Sequence, residues 1–286
     1  MQPHSKDALP APASPGAEAP PAPVREAPYI PSPPAVIDEM LRVAGLGKGD
    51  LLYDLGCGDG RIVIAAALKY GVCGVGVDAN PRRIQECNEN ARKAGVGDRV
   101  RFLRQNLFDV DISAATVMTL YLLSAVNLKL RPKLLRELKA GARVVSHEFG
   151  MGEWPPDRIL EAEGYPVYYW MVPAQVKGLW EVVAEGGRGK SNRYVLRLDQ
   201  HFQAVSGMLE WGGTELPVTG ASLKGDVLQF TVRPGGAGPE RAMRFHGSVD
   251  GNIIRGLIAS DGSGREAAGW TARRIPDLSP PGSSPA

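Results

Sequence analysis

Asp54, Gly56, Gly58, Asp59 and Gly60, with Asp78 downstream, are residue types that together can hold a small charged ligand. The glycines permit positive φ, which lets backbone N–H groups come close to a bound molecule. They stand between an apolar run, Leu51–Tyr53, and a helix-like stretch, Arg61–Lys69, and Asp78 closes a second apolar run. A strand, a tight glycine turn, a helix and a second strand ending in a carboxylate make half of a nucleoside-binding crevice. The spacing then narrows the ligand. A dinucleotide fingerprint reads G-x-G-x-x-G and offers a helix N-terminus to a pyrophosphate. Here the turn reads G-x-G-x-G, with Asp54 before it and Asp59 inside it. Two carboxylates repel a pyrophosphate and suit a ligand carrying an ammonium and a sulfonium, so a nicotinamide dinucleotide is set aside.

The elements that position these residues follow from local patterning. Pro33-Pro34 precede Val36, Ile37, Met40, Leu41 and Ala44, which share a helical face that Gly45 ends. From residue 50 strand and helix alternate. Strands are expected at Leu51–Tyr53, Gly74–Val77, Val100–Leu103, Thr116–Leu122 and Arg143–Ser146. Helices are expected at Arg61–Lys69, from Asn80-Pro81 to Gly95, and at Pro132–Lys139 before Gly141. Tyr165–Val172 and Leu179–Val183 read as the pair that completes the sheet. The pattern predicts an α/β, doubly wound, mainly parallel seven-stranded sheet, Rossmann-like, covered on both faces. This domain is expected over residues 28–184, with a turn-rich linker at 185–191. Short alternating runs follow, at Tyr194/Leu196/Leu198, Leu228/Phe230/Val232 and Met243/Phe245, and Asp250-Gly251 reads as a hairpin turn before Ile253–Ile258. They predict six or seven strands over residues 192–274, a small C-terminal antiparallel β-barrel or sandwich. The Pro/Ala-rich residues 1–27 and the Pro/Ser/Gly-rich residues 275–286 are expected to be disordered tails.

Composition bounds the function classes. With 286 residues and 43% hydrophobic content the chain can build one large or two modest cores. A net charge of +2 implies no polyanion partner. No stretch reaches the roughly 20 apolar residues of a membrane helix, and the N-terminal residues lack a secretory h-region. Cys57, Cys73 and Cys87 have no metal-ligand spacing and read as reduced, buried thiols of a cytoplasmic protein, with no metal site.

The segments DLGCGDGRIVIAAA and GVGVDANP resemble the first two motifs of class I S-adenosylmethionine-dependent methyltransferases. That resemblance implies S-adenosyl-L-methionine as cofactor. Asp54, with the backbone of Gly56 and Gly58, would hold its amino-acid end, and Asp59 and Gly60 complete the turn. Asp78 would take the two ribose hydroxyls, whose paired donors match a bidentate carboxylate. Asn106 stands where the superfamily commonly has an Asp contacting the adenine amino group. Over residues 29–184 a finer resemblance appears in Tyr29-Ile30-Pro31-Ser32-Pro33, in Thr119-Leu120-Tyr121-Leu122-Leu123 with Asn127, and in Arg143-Val144-Val145-Ser146-His147-Glu148-Phe149 with Trp154. These segments are similar to a branch of small archaeal protein lysine methyltransferases and related mitochondrial lysine methyltransferases, which implies a protein lysine as methyl acceptor.

In that frame Thr119-Leu120-Tyr121 would lie over the methyl group. The segment lacks the D/N-P-P-Y/F/W motif with which many methyltransferases grip a conjugated amine, which argues against nucleic-acid bases, as the net charge does. A lysine amine must arrive neutral, and a desolvated apolar channel lowers its pKa. Tyr29, Tyr121, Trp154 and Tyr168 are candidate walls of such a channel. His147 and Glu148 are candidates to act as a base or to orient the acceptor, with a bonded structural histidine as the alternative for His147. His4, His201 and His246 are scattered and are assigned no chemistry. The C-terminal β unit carries no catalytic motif, and can enclose an apolar ligand, engage a protein substrate, dimerise, or simply pack. Two other readings stand beside protein lysine methylation: a small-molecule methyltransferase, and a cofactor-binding module without turnover that acts through its β unit. The sequence sets no oligomeric state.

Overall fold

A computed structural model describes residues 30–185, 191–234, 242–260 and 267–276. The expected tail 1–27, the candidate Tyr29, residues 186–190 of the expected linker and residues 277–286 lie outside the described residues. The chain divides into two compact units between Val172 and Pro173.

In the first unit, α1 (Pro34–Ala44) opens on a proline at N1 and ends at Gly45, whose φ of 61° lets its N–H donate to the Arg42 carbonyl. Its apolar stripe, Val36, Ile37, Met40, Leu41, Val43 and Ala44, is buried. The chain continues through β1 (Leu51–Leu55), α2 (Arg61–Tyr70), β2 (Cys73–Asp78), α3 (Pro81–Lys93), β3 (Val100–Arg104), β4 (Val117–Leu120), α4 (Ser124–Glu137), β5 (Arg143–His147), β6 (Arg158–Ala162) and β7 (Tyr165–Met171). The Asn80 side chain accepts from the Arg82 N–H and caps α3. The seven strands lie in the order β3-β2-β1-β4-β5-β7-β6. β1 to β5 are parallel, and β7 runs antiparallel to both β5 and β6.

After β1 the chain winds outward through β2 and β3, then returns to β4 on the other side of β1. The reversal opens a crevice at the carboxyl ends of β1 and β4, where ligands of open α/β sheets bind. Leu52, Val117 and Val145 join the core beneath α1, α2 and α3. Because side chains alternate across a strand, Asp54, Thr119 and His147 point to that same face. Ser146 points to the opposite face, where Asn127 of α4 reaches it. Both faces are therefore covered, as the doubly wound reading requires.

Three expectations need correction. Leu179–Val183 is a strand, but it belongs to the second unit, within β8 (Gly178–Glu185). The seventh strand of the first sheet is β6, which the sequence reading missed. It is a largely exposed edge strand with little apolar alternation, and it is held by a hairpin turn in which Glu163 and Gly164 both have positive φ. The domain boundary at 184 moves to Val172 accordingly, since β8 pairs with β9 (Ser191–His201) through Glu185↔Ser191 and the expected linker joins two strands of one sheet. Finally, the helix expected from Pro132 begins at Ser124 and carries Pro132 inside it.

Among the described residues the second unit is antiparallel, with β8 joined by eight strands where six or seven were expected: β9, β10 (Ala204–Trp211), β11 (Thr214–Pro217), β12 (Thr219–Lys224), β13 (Val227–Val232), β14 (Met243–Asp250), β15 (Ile253–Ser260) and β16 (Ala268–Arg274). Their order is β11-β10-β9-β8-β16-β15-β14-β13-β12. The Val218 N–H donates to the Gly207 carbonyl of β10 at 2.9 Å, which brings the start of β12 toward the other end of the sheet and nearly closes a barrel. Phe230 and Phe245 stack at 4.6 Å inside it, with the Trp270 ring edge-on to both, and Trp180 is fully buried. Among the described residues, apolar side chains pack together in its interior.

Candidate active site

The glycine turn is built so that the backbone bends sharply at the end of β1. Gly56, Gly58 and Gly60 have φ of 80°, 55° and 81°, values that cost another residue about 1–2 kcal/mol each. The N–H groups of Gly56 and Cys57 both donate to the Val77 carbonyl, at 2.8 and 3.0 Å, fastening the turn to β2. Cys87 of α3 supports it from below, donating to the Gly58 carbonyl and lying 3.8 Å from the Cys57 sulfur. That contact and burial push the Cys57 thiol far up, so it stays protonated and unreactive. Gly76 of β2 leaves room for this packing, since a Cβ there would lie 2.6 Å from the Phe102 ring and 2.9 Å from the Cys57 sulfur.

Asp54 and Thr119 are register partners on adjacent strands, and the Thr119 hydroxyl donates to the Asp54 carboxylate at 2.8 Å. Asp54 is 2% exposed. Burial pushes its pKa up to about 7, the Thr119 bond opposes the rise, and the negative charges of Asp78 and Asp59 add to it. A buried carboxylate whose ionised form is penalised in this way gains most from a cation brought beside it. Asp78, at the end of β2, is oriented before any ligand arrives. One of its oxygens accepts from the Gly58 N–H at 3.1 Å and the other from the Asn80 N–H at 2.9 Å. Both groups fit S-adenosylmethionine: the buried anion suits the ammonium, and the half-buried carboxylate keeps free lone pairs for two hydroxyls.

Asp59 is placed differently from what its spacing suggested. Its carboxylate forms a bidentate pair with Arg61, with Nη2 at 2.6 Å and Nε at 2.9 Å, and Arg61 also donates to the Ser32 carbonyl. The charge of Asp59 is thus matched within the protein, and its role is to tie the turn to the segment before α1. Gly60 sits against Phe102 and Cys87, where a Cβ would lie 2.8 Å from the ring. Asn106 is exposed beyond β3, with its amide oxygen accepting from the Phe108 N–H at 3.1 Å, which leaves a second lone pair on that oxygen.

At the carboxyl ends of β4 and β5 the structure gathers an aromatic cluster. Tyr121 stacks on the His147 imidazole at 3.8 Å and lies 6.2 Å from Phe149, and Tyr165 meets His147 edge-on at 5.2 Å. The Tyr121 hydroxyl donates to the Glu148 carboxylate at 3.1 Å. Burial and that carboxylate push the Tyr121 phenol up to about 12, so it remains a donor. His147 is fully buried, with Nδ1 bonded to the Ser32 hydroxyl at 2.9 Å. Burial holds its pKa below the ordinary value against the pull of Glu148, so the ring is neutral at physiological pH. Asn127 donates to the Phe149 carbonyl at 3.1 Å and to the Ser146 hydroxyl, which braces the loop after β5 from the opposite face.

The structure brings the channel candidate Tyr121 together with His147 and Glu148, the candidates for a base or for orienting the acceptor. Trp154 is fully buried, its ring 5.7 Å from Trp170 and its carbonyl accepting from the Trp170 indole. It offers no accessible face and is a core residue. Tyr168 stacks on Trp170 at 5.8 Å. Sequence reasoning assigned no role to Ser32 or Arg61, and placed Thr119 only as part of the segment over the methyl group. The hydroxyl at Ser32 and the register of Thr119 with Asp54 become visible only once the strands are paired.

Comparison with known proteins bears on this geometry. Residues 54–158 match the family described as the ANTKMT methyltransferase domain. A protein-lysine N-methyltransferase of Saccharolobus islandicus is 46% identical over 52% of this chain and 96% of its own length. A human lysine N-methyltransferase named for a component of ATP synthase is 31% identical over 62% of this chain and 69% of its own length. Among solved structures, one from Salinibacter ruber, described as an RNA methyltransferase in complex with S-adenosyl-L-homocysteine, is 50% identical over 51% of this chain and 96% of that one, with a TM-score of 0.51.

Proposed function

This chain belongs to the class I S-adenosylmethionine-dependent methyltransferases, in the branch of protein-lysine N-methyltransferases that holds the ANTKMT methyltransferase domain, and we propose that it methylates the ε-amino group of lysine in a protein. The observation that carries the site assignment is the buried Asp54–Thr119 pair beside the pre-oriented Asp78. In this reading Asp54 and the turn hold the amino-acid end of the cofactor, Asp78 the ribose, and Asn106 the adenine edge. Asp59 and Gly60 shape the turn rather than touch the ligand.

When bound, S-adenosylmethionine supplies an electrophilic methyl group on a sulfonium. The chain's own task is to deliver a neutral amine in line with it, because an ammonium has no lone pair. Tyr121, following β4 at the crevice, walls the approach and directs its hydroxyl to Glu148. The lysine ammonium releases one proton to solvent before transfer, and the methylated amine leaves as a cation that aromatic faces tolerate. His147, neutral and bonded to Ser32, packs behind Tyr121 and holds the wall in place, a positioning role rather than that of a base.

Protein lysine is favoured over RNA by the two lysine methyltransferase relatives and by Thr119-Leu120-Tyr121 standing where base methyltransferases carry D/N-P-P-Y/F/W. Incubation of the purified chain with methyl-labelled S-adenosylmethionine and a cell lysate tests the reading. Label should partition into protein and survive base treatment. Label confined to RNA or to small molecules would overturn it, and tight cofactor binding with no transfer would leave a non-catalytic module.

A further inference from the structure

Three non-glycine residues among those described have positive φ: Glu148, Glu163 and Phe202, at 66°, 51° and 55°. Glu163 and Phe202 lie in β-hairpin turns, where that conformation is what the turn demands. Glu148 does not. It follows β5 directly, and the Phe149 N–H donates back to the His147 carbonyl at 2.8 Å across it, closing a three-residue turn of the rare positive-φ kind. The Glu148 N–H is pinned to the Pro166 carbonyl at 2.8 Å. Strain held in place by several bonds at the edge of a site points to a function for the side chain it aims.

That side chain is a half-buried carboxylate that forms no ion pair with any described residue. Its partner is a neutral phenol, Tyr121, and the adjacent imidazole is neutral as well. The Tyr121 ring that it bonds stacks on His147 at 3.8 Å and lies 6.2 Å from Phe149, and Tyr165 meets His147 edge-on. A carboxylate without a cation partner, beside an aromatic cluster, is what binds an organic cation. Tyr121 already occupies one oxygen, Oε2, which suits a point-charge ammonium better than a guanidinium that needs both oxygens of the carboxylate.

We propose that Glu148, with the rings of Tyr121 and Phe149 and with buried His147 backing Tyr121, forms a binding site for a primary or methylated alkylammonium group, and that it selects lysine over arginine. The inference deepens the reading of lysine as acceptor, and depends on it only for the identity of the cation's carrier. The site binds the acceptor as it arrives charged and receives it again once methylated, so Glu148 is a specificity residue and need not take the proton.

The test is titration of the full chain, saturated with S-adenosyl-L-homocysteine, with n-butylammonium, n-butylguanidinium and neutral 1-pentanol, followed by the NMR shifts of the Phe149 amide and the Tyr121 ring. The ammonium should shift both saturably and bind more tightly than either analogue. Glu148→Gln should weaken the ammonium by about tenfold or more while 1-pentanol and S-adenosyl-L-homocysteine bind as before, and Glu148→Asp should restore part of the loss. Glu148→Gly guards against misfolding: relief of the positive φ should leave the melting temperature equal or higher, with the ammonium affinity still lost. Wild-type affinity in Glu148→Gln, or a preference for the guanidinium, overturns the assignment. Binding of the ammonium at this cluster by a chain that labels no protein would uphold the cation site and sink the protein-lysine reading.

Discussion

Asp54 should make cofactor binding pH-dependent, and replacing it should separate binding from stability. Its carboxylate is buried, accepts from Thr119, and is pushed up to about 7 by that burial and by the charges of Asp78 and Asp59. Because only the ionised form attracts the cofactor ammonium, the binding-competent fraction falls about tenfold per unit below that pKa. Affinity for S-adenosylmethionine should drop roughly fiftyfold between pH 7 and pH 5, and binding at pH 7 should release about half a proton. The linkage to folding has the opposite sense. The folded state binds this proton more tightly than the unfolded state, so Asp54 costs no stability below about pH 4 and an increasing amount as pH rises toward 7. The rise amounts to on the order of 3–4 kcal/mol. The Asp54→Asn variant should therefore be more stable than wild type at pH 7.5, by roughly 1–4 kcal/mol. It should also bind the cofactor weakly with a flat profile between pH 5 and 7. Calorimetric titration in buffers of different ionisation heat reads both affinity and proton release, and denaturant melts read the stability. A flat wild-type profile, or a variant that keeps the wild-type slope, would refute the assignment of the buried anion to the ammonium.

Further outcomes separate site from scaffold. Asp78→Ala should weaken cofactor binding by about 1–3 kcal/mol through loss of charge-assisted bonds, measured by calorimetry, and unchanged affinity would contradict the ribose assignment. Trp154→Ala should cost about 3–5 kcal/mol of folding stability, since it empties a fully buried site against Trp170. Tyr121→Phe should change stability by less than about 1 kcal/mol yet raise KM for the acceptor while leaving cofactor affinity intact, because it keeps the ring and loses only the bond to Glu148.

The parts of the molecule legible in the sequence are those written in short range. The glycine turn, the carboxylate ending β2, the capped helices α1 and α3, and the alternation of β14 and β15 each follow from spacing within about ten residues. What escaped depends on pairing between distant segments. Leu179–Val183 looks like a strand wherever it lies, and only its partners β9 and β16 decide its sheet. β6 is exposed on most of its length, so no apolar period announced it. In the site, Asp59 carries the right spacing for a ligand anion, but the structure matches it with Arg61, two residues away. Glu148 was visible as a candidate from its place after β5, whereas its positive φ and its want of a cation partner required the backbone path past Pro166.

Tandem mass spectrometry of proteins labelled by the wild-type chain and by Asp78→Ala tests the account most directly. A methyl group on the ε-amine of lysine at defined positions, present with the wild-type chain and strongly reduced with the variant at limiting cofactor, is the predicted result. Methyl groups on another side chain, or on RNA in the same reaction with the protein fraction unlabelled, would contradict it.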